Sequence, residues 1–161
     1  MVKVRHAKIE DVESACKIAV EAWGPIFDNY RKLLGDELFD ILHKDWKERK
    51  TDEIRNHYGK YPEWMLVTEK NREIVGFITF NLDGKRKIGE IGNNAVKPKY
   101  QRRGIGTLQY RKALEIFKRE EMTFATVSTG LDEAHAPARA SYEKVGFKKA
   151  IPGVTYYMKI P

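Results

Sequence analysis

Val96-Lys97-Pro98-Lys99-Tyr100-Gln101-Arg102-Arg103-Gly104-Ile105-Gly106-Thr107 is the run on which the architecture of this 161-residue chain turns. Before it, Ile88 to Val96 reads as a strand that Pro98 stops; after it, Gly104 opens a helix with Ile105, Leu108, Ala113, Ile116 and Phe117 on its expected buried side. The first amides of a helix have no internal partners and the macrodipole adds positive charge, so the turn suits a phosphate or pyrophosphate. A tight strand-to-helix turn with no ligand is the plainer alternative. No Gly-Lys-Ser/Thr follows, and no complete Gly-x-Gly-x-x-Gly with an acid on a later strand, which argues against nucleoside triphosphate and dinucleotide loops.

Downstream of that helix, Phe124 to Thr129 reads as a fifth strand, so strand, helix and strand form a parallel unit. A last helix over Ala134 to Val145 is closed by Gly146, and Phe147 to Ala150 with Val154 to Ile160 predict a final hairpin around Pro152-Gly153. Upstream, Val2 to His6 is a first strand. Ile9, Val12, Cys16, Ala19 and Trp23 then mark one helical face that Gly24-Pro25 should end. A second helical stretch from about Ile26 towards His57 breaks at Gly35-Asp36 and carries the row Leu34, Leu38, Leu42 and Trp46. Trp64 to Thr68 and Ile74 to Leu82 pair as a hairpin across Asn71-Arg72-Glu73. The expectation is one domain over residues 1–161, a mixed α/β (α+β) fold with a largely antiparallel sheet flanked by helices.

The 30 Lys and Arg against 23 Asp and Glu leave a net +7, unevenly placed. Residues 85–119 hold eleven bases against Glu90 and Glu115, a local +9, and the remainder of the chain is at −2. Basic excess confined to one segment fits a local anion site better than a nucleic-acid coat, since only Tyr100, Tyr110 and Phe117 are interleaved with those bases. With 42% hydrophobic residues the chain can build a core, and uncharged runs such as Ile91 to Val96 are far below the roughly 20 residues of a membrane span. Nothing in the opening Met1 to His6 suggests export. The lone Cys16 cannot form an internal disulfide, so a cytoplasmic protein is expected. His6, His43, His57 and His135 are scattered at no metal-ligand spacing, so no metal is assigned.

Gln101-x-x-Gly104-x-Gly106 after a strand ending in Val96-x-Pro98 resembles the acetyl-CoA loop of the GNAT superfamily of N-acetyltransferases. Ala138-x-x-x-Tyr142-Glu143-Lys144-Val145-Gly146-Phe147 is similar to a second segment of that superfamily, in the expected order, and the element order agrees over nearly the whole chain. The resemblance implies a sheet splayed between the fourth and fifth strands. Pantetheine would lie along Asn94, Ala95 and Val96, and the pyrophosphate on the amides of Arg102, Arg103, Gly104, Ile105, Gly106 and Thr107. Gln101 would shape the turn, with Lys97 and Lys99 adding countercharge. It further implies Tyr142 as the acid that protonates the departing thiolate, and Glu90 as the base, on the argument that Glu90, Gly92, Asn94 and Val96 share one strand face.

Where many family members have Asn, this chain has His135, read in order as a pantetheine contact, a helix cap or a base; Arg139 either touches a CoA phosphate or faces water. The implied activity is acetyl transfer from acetyl-CoA to a primary amine by direct attack in a ternary complex. The acceptor is a small molecule or a protein or peptide amine. Trp23, Phe27, Tyr30, Trp46, Tyr61 and Trp64, with Asp28, Asp36, Glu37 and Asp40, lie where the family places acceptor pockets. A catalytically silent CoA-binding sensor or scaffold and a basic nucleic-acid-binding domain are the rival readings. Family members often dimerise, which leaves a homodimer open.

Overall fold

The computed structural model describes residues 1–161. Five strands, β1 (Val2–His6), β2 (Met65–Lys70), β3 (Glu73–Asp83), β4 (Ile88–Val96) and β5 (Phe124–Val127), lie in the order β1-β2-β3-β4-β5. The first four form an antiparallel meander, and β5 joins β4 in parallel. The switch in direction follows from the helical crossover between them, α4 (Ile105–Arg119). The mixed, largely antiparallel architecture expected from the sequence is therefore the one observed. The β2–β3 loop is tighter than expected: Asn71 and Arg72 alone make it, at φ 50° and 66°. Such paired left-handed residues match the twist of a hairpin.

Two apolar layers sandwich the sheet. On one face α1 (Val12–Leu34) and α3 (Trp46–Lys60) bring Ala15, Ile18 and Ile54 against Met65, Val67, Phe77 and Ala95. On the other, α4 and α5 (Ala136–Val145) bring Tyr110, Ala113, Ile116, Phe117 and Tyr142 against Leu66, Ile78, Phe80 and Ile91. Phe77 and Phe80 are fully buried on opposite faces. Each contributes about 2–3 kcal/mol of transfer free energy.

Three sequence expectations are corrected. Gly24-Pro25 does not end α1, which runs on to Leu34. Pro25 and the residue whose carbonyl it leaves free, Glu21, are both exposed, so water can take that carbonyl, and Phe27 extends the helix's buried side by stacking on Trp46 at 4.3 Å. The chain breaks instead at Gly35, with φ 76°, before the short α2 (Asp36–His43). Leu108 is 40% exposed; the buried polar-tipped residues of α4 are Gln109 and Tyr110. The closing hairpin is also absent: no strand follows α5, and residues 148–161 are exposed.

A bulge in β4 sets the geometry of the site. Ile78 pairs with Asn94 but Phe80 with Ile91, so β4 carries one extra residue at Gly92-Asn93. The Asn93 amide donates to Thr79 Oγ1 at 2.9 Å, and a Cβ on Gly92 would stand 2.7 Å from that same oxygen. The extra residue inverts the alternation. Ile91 and Asn94 face α4 and α5, whereas Glu90, Asn93 and Ala95 face α1 and α3. Glu90 thus does not share a face with Asn94 and Val96, contrary to the strict alternation assumed from the sequence.

Candidate functional site

Strand β5 pairs with β4 only from Ile88 to Ile91. Beyond that point β4 continues to Val96 with no neighbour on that side, and the sheet opens into a wedge. The Lys97 amide donates to the Val75 carbonyl on β3 at 2.8 Å. By alternation, the main-chain groups of Val96 and Asn94 then point into the wedge. The opening follows from the lengths of the two strands, nine residues in β4 against four in β5.

At the mouth of the wedge the chain turns into α4. Gln101 Nε2 donates to the Val96 carbonyl at 2.9 Å, which ties the turn to the strand end. Arg102 and Gly104 follow with φ of 60° and 79°, and the first helical bond is Leu108 N to the Gly104 carbonyl at 3.0 Å. None of the amides of Arg102, Arg103, Gly104, Ile105, Gly106 and Thr107 is taken by a protein acceptor. A Cβ on Gly106 would meet nothing nearer than Tyr110 at 4.0 Å, so the protein itself does not demand glycine there. That space leaves the main chain open to approach from outside. Ile105 anchors the turn by burying against Val75 and Val96. Free amides, an approachable glycine and the open edge of β4 together fit a diphosphate followed by an extended amide-bearing arm, as coenzyme A has.

The charge around this corner is divided differently from the sequence expectation. Lys97 and Lys99 are not free countercharge: both bind Glu73, at 2.8 and 3.1 Å, and Tyr100 donates to the same carboxylate at 2.7 Å. Those hydrogen bonds, from Lys97 first, hold the Glu73 carboxyl at about 2, well below its usual range. Glu73 thereby clamps the strand end to β3. Arg102 and Arg103 are the exposed cations left beside the amides.

Behind the wedge lies a line of three polar side chains. Tyr142 on α5 is buried, 8% exposed, and its hydroxyl donates to Asn94 Oδ1 at 3.2 Å. Asn94 Nδ2 donates in turn to the Tyr110 hydroxyl at 2.5 Å, and the two rings are 5.2 Å apart. Burial pushes both phenols above their ordinary value, so each remains protonated and able to donate at neutral pH. Tyr110 escaped the sequence reading, although a tyrosine one turn beyond Gly106 on the buried side of α4 was the available signal.

His135 does not cap α5. Its Nδ1 instead meets Asp132 Oδ1 at 2.6 Å, while Asp132 Oδ2 accepts from Asn29 at 3.1 Å. Its Nε2 has no protein partner. Arg139 neither faces water nor stands free for a phosphate: its Nη1 clasps the carbonyls of Gly130 and Asp132 at 2.7 and 2.9 Å and fixes this loop. Asp132 was not anticipated. A Cβ on Gly130 would sit 2.4 Å from its carboxylate, so the glycine makes room for the Asp132–His135 pair.

On the α1–α3 side the supposed acceptor groups are largely paired among themselves. Asp36 and Asp40 bind Arg31 at 2.7 and 3.0 Å, and Glu37 binds Lys159 at 2.8 Å. Trp46 is buried beneath Phe27, and Tyr61 stacks on Trp64 at 4.4 Å. Trp23 carries the Lys50 ammonium 4.7 Å over its ring, and Lys50 reaches Asn93 at 3.0 Å. Glu90 is exposed on this side, between Asn81 of β3 and Thr126 of β5. Cys16 is buried, and desolvation raises its thiol above its ordinary value, which leaves it a poor nucleophile.

Comparison with known proteins bears on the same residues. Residues 28–147 match the model of the acetyltransferase (GNAT) family. Among solved structures, the PaiA N-acetyltransferase of Thermoplasma acidophilum in complex with coenzyme A superposes with a TM-score of 0.74 at 20% identity, covering 92% of this chain and 90% of that one. The ribosomal-protein-S18-alanine N-acetyltransferase of Escherichia coli gives 0.68 at 18% identity, over 94% and 80%. A GNAT family acetyltransferase of Brucella melitensis in complex with acetyl-CoA gives 0.65 at 18%, over 100% and 92%. At such identities the superpositions speak for the fold. The curated proteins contain no match. No helix is long and apolar enough to cross a membrane.

Proposed function

The chain belongs to the GNAT acetyltransferase family, and from that premise we propose that residues 1–161 act as one acetyl-CoA-dependent N-acetyltransferase domain, working on a primary amine. The observation that carries the reading is the run of unclaimed amides from Arg102 to Thr107 beside the open edge of β4. Those amides, with Arg102 and Arg103, would hold the pyrophosphate. Asn94, Ala95 and Val96 would line the pantetheine arm, the first and last through main-chain groups aimed into the wedge and Ala95 as part of the strand between them. His135 Nε2 is offered to the same arm from the start of α5.

Acetyl-CoA supplies the thioester. The Val96 amide, facing the wedge, would polarise its carbonyl, an effect commonly worth about 3 kcal/mol per donor. As the amine nitrogen forms its bond to the acyl carbon, the carbon–sulfur bond breaks and the sulfur takes a proton from the Tyr142 hydroxyl. Asn94 holds that hydroxyl in place. Before attack the ammonium gives a proton to Glu90, directly or through water, from the α1–α3 side of β4, so that the neutral amine is the nucleophile; the second proton that the nitrogen sheds on becoming an amide replaces the one Tyr142 gave to the sulfur. Placing base and acid on opposite faces of the strand lets the amine enter on one side and the thiolate leave on the other. Buried Cys16 supports direct transfer with no acyl-enzyme. It also suits a reducing, cytoplasmic setting.

The acceptor side, where Asp36, Asp40 and Glu37 are already paired, favours a neutral or hydrogen-bonding amine carrier over a polycation; a small amine or a peptide amine both fit. A screen of amine acceptors with acetyl-CoA, read as release of free thiol, tests the function. Acceptor-dependent thiol release supports it. Binding of acetyl-CoA without turnover on any amine class would leave the silent sensor and overturn the enzyme.

A further inference from the structure

The three polar side chains behind the wedge come from three elements, Asn94 from β4, Tyr110 from α4 and Tyr142 from α5. Tyr110 and Tyr142 are 3% and 8% exposed. The sheet brings Leu66, Ile78 and Phe80 against them, and the helices bring Ile116, Phe117 and Ala138. No carboxylate, ammonium, guanidinium or imidazole acts on either phenol. The fate of a charge on one hydroxyl is therefore decided within the trio.

The hydrogen bonds run in one direction. Tyr142 donates to Asn94 Oδ1 at 3.2 Å, and Asn94 Nδ2 donates to the Tyr110 oxygen at 2.5 Å. Because Tyr110 accepts in that bond, its own hydrogen is left to give. A buried hydroxyl hydrogen without an acceptor is costly, and the Tyr142 oxygen is the acceptor beside it, the two rings standing 5.2 Å apart and tilted by 56°. Donation there closes a ring in which each phenol gives one hydrogen bond and takes one. It also acts on the acid. Burial raises the Tyr142 phenol, and the Tyr110 hydroxyl opposes that rise. Burial and the same contact raise Tyr110, so Tyr110 keeps its hydrogen and Tyr142 is the phenol that can release one.

We propose that Tyr110 is a positioning residue for acetyl transfer: its hydroxyl donates to the Tyr142 oxygen and stabilises the negative charge left there when the proton passes to the departing sulfur. The inference rests on the reading of Tyr142 as the acid. As the carbon–sulfur bond breaks, the sulfur takes the electron pair and then the Tyr142 hydrogen. Tyr142 holds the negative charge until the second amine proton replaces what it gave. An apolar surrounding penalises such a charge, and hydrogen bonds to ions are the strong ones. Tyr110 supplies one without touching either substrate.

The test places 3-fluorotyrosine, a more acidic phenol with its own ¹⁹F signal, at position 142 of the whole protein and follows that signal against pH. Tyr110→Phe keeps the ring and removes the donor. It should move the titration midpoint up by about one pH unit, as expected on losing a hydrogen bond to a charged group. Phe117→Leu disturbs the same apolar layer but leaves the trio intact, and should not move it. An unmoved midpoint in Tyr110→Phe, or an equal movement in Phe117→Leu, overturns the proposal while Tyr142 stands as the acid. With natural tyrosine at position 142, Tyr110→Phe should lower kcat about tenfold and leave KM for acetyl-CoA unchanged. A midpoint that moves while kcat does not would remove Tyr142 as the acid, and the role of Tyr110 would fall with it.

Discussion

The corner from Val96 to Thr107 and the face built by α1 to α3 handle polarity in opposite ways. At the corner the side chains are tied down, Gln101 to the Val96 carbonyl and Lys97, Lys99 and Tyr100 to Glu73, while the main-chain amides are left open. On the helical face the side chains satisfy one another, Arg31 with two aspartates and Lys50 with Trp23 and Asn93. A ligand common to a whole family can be met by backbone, whose geometry the fold fixes. A ligand particular to one protein must be met by side chains, and those rearrange from sequence to sequence.

The largest expected effect separates chemistry from binding at the cosubstrate side. Tyr142→Phe should lower turnover by roughly 10²- to 10⁴-fold, the range of a general acid, while coenzyme A affinity changes little. Steady-state kinetics beside calorimetry checks this, and equal losses in both would remove the acid role. Next, Gly106→Val should weaken coenzyme A by roughly a hundredfold, about 2.7 kcal/mol, with no comparable fall in melting temperature, because only the ligand needs that space. Gly104→Ala should do the reverse: its φ of 79° makes any side chain cost about 1–2 kcal/mol of stability. If both substitutions moved melting temperature and affinity together, the two glycines would not have separate tasks.

Much of this contrast was readable from residues alone. Gln101-x-x-Gly104-x-Gly106 encodes its conformation locally, in a strand stop, two left-handed residues and a helix start, so motif and structure coincide. Tyr142 was singled out by the resemblance alone, since its hydroxyl's partner, Asn94, lies on a distant strand. Glu90 was misplaced to the wrong face because a bulge is a property of two strands, created when Asn93 bonds Thr79, and one strand's alternation cannot show it. Lys97 and Lys99 were misread as free because Glu73 lies far away in the chain. The continuation of α1 through Pro25 depended on Trp46 arriving from another helix.

On the acceptor side the expected effects are smaller. Glu90→Gln should reduce turnover about 10- to 100-fold at neutral pH, with the deficit shrinking as pH rises and more of the amine arrives neutral. A pH-independent deficit would assign Glu90 to binding. Smallest of all is the Glu73 clamp. Its folded pKa of about 2 lies below its unfolded value, so its contribution is present above the ordinary carboxylate range and is lost as pH falls towards about 2. Melting temperature followed across that window should decline less steeply in Glu73→Gln than in the native protein; parallel curves would show that the clamp does not stabilise the fold.

The central claim, that the backbone of residues 102–107 receives the diphosphate, is tested most directly by amide resonances of the ¹⁵N-labelled protein titrated with coenzyme A. The account predicts that the largest shifts fall on Arg102 to Thr107 and are reproduced by the adenosine diphosphate portion alone. Saturable binding that leaves those amides unmoved would contradict it.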